Sequence, residues 1–272
     1  MNRQQLIHQI TQKQNYLCVG LDTDIDKIPK HLLSADDPVF ELNKAIIDAT
    51  KDFCVSYKIN TAFYEAMGSK GWQALQKTVE YIPATHFTIA DAKRGDIGNT
   101  SAQYAKAFFE TYSFDAITVA PYMGEDSIRP FLDYKDKWTI VLGLTSNKGS
   151  EDFEQQLLQN GLPLFEEVMS KTASWGTIEN LMFVVGATKA EQLATIRKKF
   201  PQHFFLVPGV GTQGGSLRDV SKAALTKDGG LLVNVSRAII YASSGENFAA
   251  TAGVVAKEYA NEMKALFEEM KP

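Results

Sequence analysis

The chain has 272 residues, 44% of them apolar, and a formal net charge of −4. That length and apolar content suit one large α/β domain, or two small ones, with a sizeable core. The negative balance argues against a nucleic-acid or polyanion binder, so an anionic substrate has to be met by local positive groups.

The opening residues, MNRQQLIHQITQKQ, lack the apolar core of a signal peptide, and no stretch is apolar enough to span a membrane. The expectation is a soluble, cytoplasmic protein that binds neither membrane nor nucleic acid. Leu6, Ile7 and Ile10 predict a short leading helix over residues 3–14. YLCVGLD (16–22) is the first predicted strand, and Asp24, Asp26 and Pro29 make the next segment a loop. A helix is predicted over 39–50, followed by the strand FCVSYKIN (53–60) and a helix over 69–81. The third strand, HFTIAD, leads into a helix from about Ser101 to Tyr112. DAITVAP (115–121) and WTIVLGLT (138–145) are the fourth and fifth strands, with a helix opening at Asp126-Ser127 between them. Residues 151–159 and 164–175 read as two helices broken by Gly161-Leu162-Pro163. LMFVVGAT (181–188), HFFLVPGVG (203–211) and GLLVNVSRAI (230–239) are the last three strands, with helices over 190–200, 217–226 and about 247–269.

Eight apolar runs, each followed by a helical segment, show the near-continuous hydrophobicity of buried parallel strands. The economical solution is a single (β/α)8 TIM barrel of the phosphate-binding type over residues 1–272. It would carry the short leading helix and a longer helical insertion at about 148–180. A doubly wound open sheet is the alternative. The two cysteines, Cys18 and Cys54, fall inside predicted strands, which favours buried thiols over a disulfide, and no Cys/His cluster suggests a metal.

In such a barrel, chemistry sits where strands end. Asp22, Lys58, Asn60, Asp91 and Lys93 lie at or just past predicted strand ends, as do Thr145, Ser146, Gln213, Ser236 and Arg237. The four histidines do not: His86 and His203 stand where strands start, and His8 and His31 fall outside strands. The densest cluster is THFTIADAKRGDIGNT (85–100), where Asp91, Lys93, Arg94 and Asp96 follow an apolar run and precede a helix. In an extended segment Asp91 and Lys93 point to the same side. One reading is a solvated turn whose acids favour the following helix N-terminus. The other is a preorganised charge network that holds a proton donor against an anionic substrate. Lys58, flanked by Val55, Tyr57 and Ile59, has to meet a partner or lose its charge. Asp91 and Asp96 are the nearest candidates, and an array Lys58, Asp91, Lys93, Asp96 would satisfy every member. Asp22 reads either as part of the site or as a cap on a surface loop.

The seventh strand leaves through PGVGTQGG (208–215) and the eighth through NVSRAI (234–239). Two such loops at the last strand pair, with Arg237 available for a bidentate contact, predict a phosphate site built partly from backbone amides.

LDTD, SYKIN, ADAKRGDIGNT, VAPYMG, VPGVGTQGG and NVSRAI together make the sequence resemble the orotidine 5′-phosphate decarboxylase family over nearly its whole length, in a longer bacterial branch. The resemblance implies cofactor-free decarboxylation of orotidine 5′-phosphate to uridine 5′-phosphate, the last step of de novo pyrimidine nucleotide synthesis, with no metal. It implies that Lys58, Asp91, Lys93 and Asp96 are the charge network, with Lys93 the proton donor and Asp91 against the substrate carboxylate. It further implies a homodimer in which Asp96 reaches the neighbouring site with Ile97 and Thr100 beside it. Asp22 would bind the ribose hydroxyls, and Pro208, Gly209, Gln213 and Arg237 would close over the phosphate. Thr145 or Ser146 would meet the pyrimidine edge. The rivals are a Mg2+-dependent sugar-phosphate barrel enzyme, whose relatives carry an acid where this chain has Lys58, and a non-catalytic nucleotide-phosphate sensor.

Overall fold

The computed structural model describes residues 1–187, 190–211 and 214–270. In chain order, α1 (Arg3–Lys13) precedes β1 (Leu17–Gly20), α2 (Pro38–Thr50) and β2 (Ser56–Asn60). α3 (Thr61–Glu65) and α4 (Ser69–Tyr81) lead to β3 (Phe87–Arg94), α5 (Gly98–Lys106), β4 (Ala116–Val119) and α6 (Glu125–Leu132). β5 (Trp138–Leu144), α7 (Leu164–Trp175), β6 (Leu181–Val185), α8 (Ala190–Lys199) and β7 (Phe204–Pro208) follow. The chain closes with α9 (Leu217–Ala224), β8 (Leu231–Val235), α10 (Arg237–Ile240) and α11 (Phe248–Glu269). The strands are all parallel and pair in sequence order, with β8 returning to β1, so the sheet is a closed barrel. Closure leaves no open edge, and the helices cover the outside, as parallel strands require.

Two-residue alternation divides the strands into two faces. Leu17, Val19, Tyr57, Ile59, Val207 and Val233 pack outward on the helices. Cys18, Phe87, Ile89, Trp138, Ile140, Phe204, Leu206 and Leu232 form the separate inner core. Near the floor Phe87 and Phe204 meet Trp138 edge-on, both with ring centroids 6.1 Å away. Leu6 and Ile10 of α1 join this inner cluster and stopper the N-terminal end of the barrel. That helix starts in a capping box, with Asn2 and Gln5 bonding each other's backbone N–H. Continuing the inward alternation toward the other end brings Lys58, Asp91, Thr118 and Asn234, so the same periodicity that fills the floor with rings lines the mouth with polar groups.

Most elements stand where the sequence predicts them, and Cys18 and Cys54 are buried free thiols. The helix expected over 151–159 does not form. A 3-10 turn covers Lys148–Glu151, and a bridge joins Leu157 to Pro163. Phe153 and Leu157 are 69% and 73% exposed, so the segment buries no apolar stripe to offset the cost of helix nucleation. The insertion therefore carries one α-helix, α7, rather than two. β8 ends at Val235, because the apolar Ala238-Ile239-Ile240 run belongs to α10, whose buried face mimics a strand. α5 begins at Gly98, earlier than expected, and continues as a π-helical turn over Ala107–Thr111. β3 runs on to Arg94 instead of stopping at Asp91.

Candidate active site

At the C-terminal mouth the Lys58 ammonium donates to Asp91 Oδ2 at 2.9 Å and to Asp22 Oδ1 at 3.2 Å. Lys93 Nζ donates to the other oxygen of Asp91 at 2.5 Å. The four groups thus alternate in sign: Asp22, Lys58, Asp91, Lys93. The Lys58 side chain is 5% exposed and that of Lys93 50%, so the chain of charges runs from the barrel interior to an ammonium open to solvent. Burial works against charge on Asp91, but the Lys58 and Lys93 ammonium groups overcome it and hold the carboxyl far below the usual carboxylate range. Burial likewise opposes charge on Lys58, and Asp22 and Asp91 overcome it, raising its pKa well above that of a free lysine.

Two details differ from the expected array. Asp22 takes the place beside Lys58 that Asp96 was expected to fill, so the loop-cap alternative for Asp22 falls. Asp96 stands past the turn made by Gly95, and its carboxylate accepts the Ile97 N–H at 2.8 Å. It forms no ion pair among the described residues. Lys93 reaches Asp91 although the backbone there is not a plain strand: Lys93 has φ +47°. Arg94, its neighbour, turns the other way, pairing with Glu65 at 2.5 Å and lying over the rings of Tyr104 and Phe108.

Asp22, Lys58, Asn60, Asp91, Pro208, Gly209, Ser236 and Arg237 line one cleft of about 150 Å³, together with Val210 and Asn234. Asn60 also caps α3 through the Ala62 N–H. Ser236 packs against the backbone of Gly20, where a Cβ would lie 1.9 Å from its hydroxyl. The loop after β7 is folded on itself: Gly211 N–H donates to Gly215 O, Gly214 N–H to Gly211 O and Gly215 N–H to Gly209 O. Gly209, Gly211 and Gly214 have φ of +97°, +80° and +85°, a backbone path that side-chain-bearing residues resist. These amides hold the loop's shape rather than pointing out of it. Gln213 lies outside the described residues.

The β5 exit borders a small cavity lined by Thr145, Ser146 and Gly186 among others. Thr145 is committed to the insertion: its N–H donates to Glu154 Oε2 at 2.7 Å, and its hydroxyl lies 2.8 Å from Glu154 Oε1. Gly186 gives Ser146 room, since a Cβ there would come within 2.8 Å of Ser146 Cβ. Ile97 and Thr100 are exposed on the outer rim. Met123 packs near Gly95, and with Tyr122 and Ile97 it leaves an apolar rim that is 46%, 91% and 54% exposed in turn. His86 and His203 lie at the opposite end of the barrel, before β3 and β7.

Two residues touching this machinery escaped the sequence reading. Thr118 on β4 donates to Asp91 Oδ1 at 3.1 Å and accepts the Lys93 N–H at 2.9 Å. Tyr241 accepts the Asp24 N–H and donates to Asp22 O. An inward threonine in TVAP carries no motif, and Tyr241 sits beyond the recognised NVSRAI.

Residues 15–252 match the orotidine 5′-phosphate decarboxylase / HUMPS family. The chain belongs to that family. It is 59% identical to orotidine 5′-phosphate decarboxylase of Christiangramia forsetii, across 99% of this chain and 100% of the relative. It is 57% identical to the enzyme of that name from Phocaeicola vulgatus, across 98% and 99% of the two chains. The solved structure of Leishmania donovani OMP decarboxylase superposes with a TM-score of 0.82 at 35% identity, covering 97% of this chain and 99% of the other. The motifs that carry the resemblance, ADAKRGDIGNT foremost, are the ones gathered at this mouth.

Proposed function

We propose that the chain converts orotidine 5′-phosphate to uridine 5′-phosphate and CO2, within pyrimidine nucleotide synthesis, without a metal or organic cofactor. The observation that carries this reading is the alternating Asp22, Lys58, Asp91, Lys93 array, whose first three members line a cleft shared with Arg237 and whose last is a half-exposed ammonium held by Asp91.

In the reaction the bond between the ring carbon and its carboxylate breaks, CO2 leaves, and the electron pair stays on the ring carbon. No neighbouring carbonyl delocalises that pair, so a fixed positive charge is the means of stabilising it. Lys93, a compact cation on a flexible stem, neutralises the carbanion and then delivers a proton to it; solvent restores the ammonium. Asp91 and Lys58 hold that cation charged and in place. Asp91 would also lie against the departing carboxylate, so that like-charge repulsion eases as CO2 leaves. Arg237 grips the phosphate at the far end, and its binding energy orders the site, with the loop over 209–215 acting as the lid. Asp22, beside Asn60, meets the ribose hydroxyls. Thr145 or Ser146, at the β5 exit, meets the pyrimidine edge.

The reading includes a second copy of the chain. In it Asp96 would reach a neighbour's cleft, and the exposed apolar residues Ile97, Tyr122 and Met123 suit burial between two copies. A Mg2+-dependent reaction fits less well, since the Lys58 ammonium stands between the two carboxylates that would otherwise ligate a cation. The test is an absorbance assay with orotidine 5′-phosphate in the presence of EDTA. Conversion to uridine 5′-phosphate is expected. Absence of conversion, restored by Mg2+ with a sugar phosphate, would replace this reading with the rival barrel chemistry.

A further inference from the structure

We infer that Thr118 is a positioning residue for the Lys93 ammonium, fixing both ends of that side chain through one hydroxyl. The inference rests on the reading of Lys93 as the proton donor.

The pairing of β3 with β4 is irregular at this point. Ala90 faces Ile117 and Arg94 faces Val119, so three residues of β3, Asp91 to Lys93, stand opposite Thr118 alone. A bulge of this kind re-aims side chains and removes ladder partners. Lys93 sits within it at φ +47°. An L-residue there is strained and persists only where its surroundings hold it. Its N–H, displaced from the ladder, would be an unsatisfied donor. Thr118 Oγ1 takes it at 2.9 Å.

A hydroxyl has a single proton. With a lone pair occupied by the Lys93 N–H, that proton goes to Asp91 Oδ1, 3.1 Å away. The same carboxylate oxygen receives Lys93 Nζ, and Oδ2 receives Lys58. Thr118 therefore ties the backbone from which the lysine springs to the carboxylate that holds its tip. A lysine stem has several rotatable bonds, and a proton donor has to be placed to a fraction of an ångström. Anchoring both ends from one rigid, fully buried strand residue removes that freedom. Thr118 itself is buried behind Asp91 and does not line the cleft. It acts through Asp91 and Lys93.

The experiment compares Thr118→Val, which keeps the shape and lacks the hydroxyl, with Thr118→Ser, which keeps the hydroxyl, in the full chain. Thr118→Val is expected to lower kcat by about 10- to 100-fold, as a small misplacement of a reacting group does. Its KM for orotidine 5′-phosphate and its Kd for uridine 5′-phosphate should stay within about threefold, since binding groups are untouched. Thr118→Ser should recover kcat to within about threefold of the parent. If Thr118→Val does not fold, Thr118→Cys carries the same expectation, a thiol being a weak donor and acceptor. The inference is overturned if the variant lacking the hydroxyl keeps parental kcat, if Thr118→Ser is as impaired as it, or if kcat and KM deteriorate together. Lys93→Ala in the same assay separates the two levels. Full activity there removes the proton-donor reading, whereas loss there with unchanged Thr118→Val removes only the role of Thr118.

Discussion

Lys58 and Arg197 are cations buried at opposite ends of this barrel, and their partners differ in kind. At the mouth, Lys58 lies between the carboxylates of Asp22 and Asp91. At the floor, Arg197 donates to four backbone carbonyls, those of Ala224, Phe200, His203 and Gly230, and its guanidinium lies 3.8 Å over the ring of Phe205. Carbonyl dipoles satisfy its donors but bring no opposing charge. Burial, helped by Arg3, accordingly pulls the Arg197 pKa down to about 9, while the carboxylates push that of Lys58 up. Lys13, also at the floor, follows Arg197: it donates to Lys51 O and Cys54 O, and burial lowers its pKa. Burial of a cation does not by itself mark a site. A relay of full charges of alternating sign that runs from a cleft to an exposed ammonium is what distinguishes the mouth.

The comparison breaks most directly on substitution of the two cations. Lys58→Ala takes the ion-pair partner from Asp22 and leaves Asp91 with Lys93 alone, and should cost about 3–5 kcal/mol of stability along with nearly all turnover. Arg197→Met leaves carbonyls short of donors, and should cost about 2–4 kcal/mol in chemical denaturation while kcat at 25 °C stays near the parent's. An Arg197 variant that is stable but inactive would erase the distinction.

Arg237→Ala sharpens the account of the mouth. Loss of a charge-assisted phosphate contact should weaken uridine 5′-phosphate by about 2–3 kcal/mol in calorimetry and leave uridine binding unchanged. Equal weakening of both would remove the phosphate assignment.

The smallest effect separates the two ends by pH. Asp91 and Lys58 at the mouth should not titrate between about pH 5 and 9: the depressed Asp91 pKa means its contribution fades only in strong acid, and the raised Lys58 pKa means its contribution fades only in strong base. His203, at the floor, has its pKa lowered from 6.5 to about 4 by burial, then by Arg197 and Arg3. The unfolded chain therefore takes up that proton first as pH falls. Stability present above pH 6.5 is lost down to about pH 4 and is level below it. Its solvent contact keeps the expected loss to about 1–2 kcal/mol. His86, lowered by burial and by Lys13, acts in the same direction. Thermal unfolding of His203→Gln across that range should show a flatter pH dependence, and an unchanged slope would place the acid sensitivity elsewhere.

What the sequence disclosed followed from periodicity. Apolar runs and helical spacing were sufficient for the eight strands, because buried parallel strands carry their signal in every residue. Lys58, Asp91 and Lys93 were legible because charge at the end of an apolar run has to be explained. The choice of Asp22 rather than Asp96 as the partner of Lys58 was not, since it depends on how β1 and β2 register across the barrel, Gly20 beside Lys58. Thr118 was hidden for a related reason: its part is set by a bulge in the neighbouring strand, which no local pattern announces. The segment over 151–159 has helix-forming residues and still failed as a helix, because propensity without a buried face is insufficient.

The most direct test of the central claim is turnover of orotidine 5′-phosphate by Lys93→Ala, with uridine 5′-phosphate binding measured on the same preparation. The account predicts a loss in kcat of at least about 10³-fold, with product binding retained within about tenfold. Retention of most turnover would contradict it, because the charge relay would then end at a group that takes no part in the chemistry.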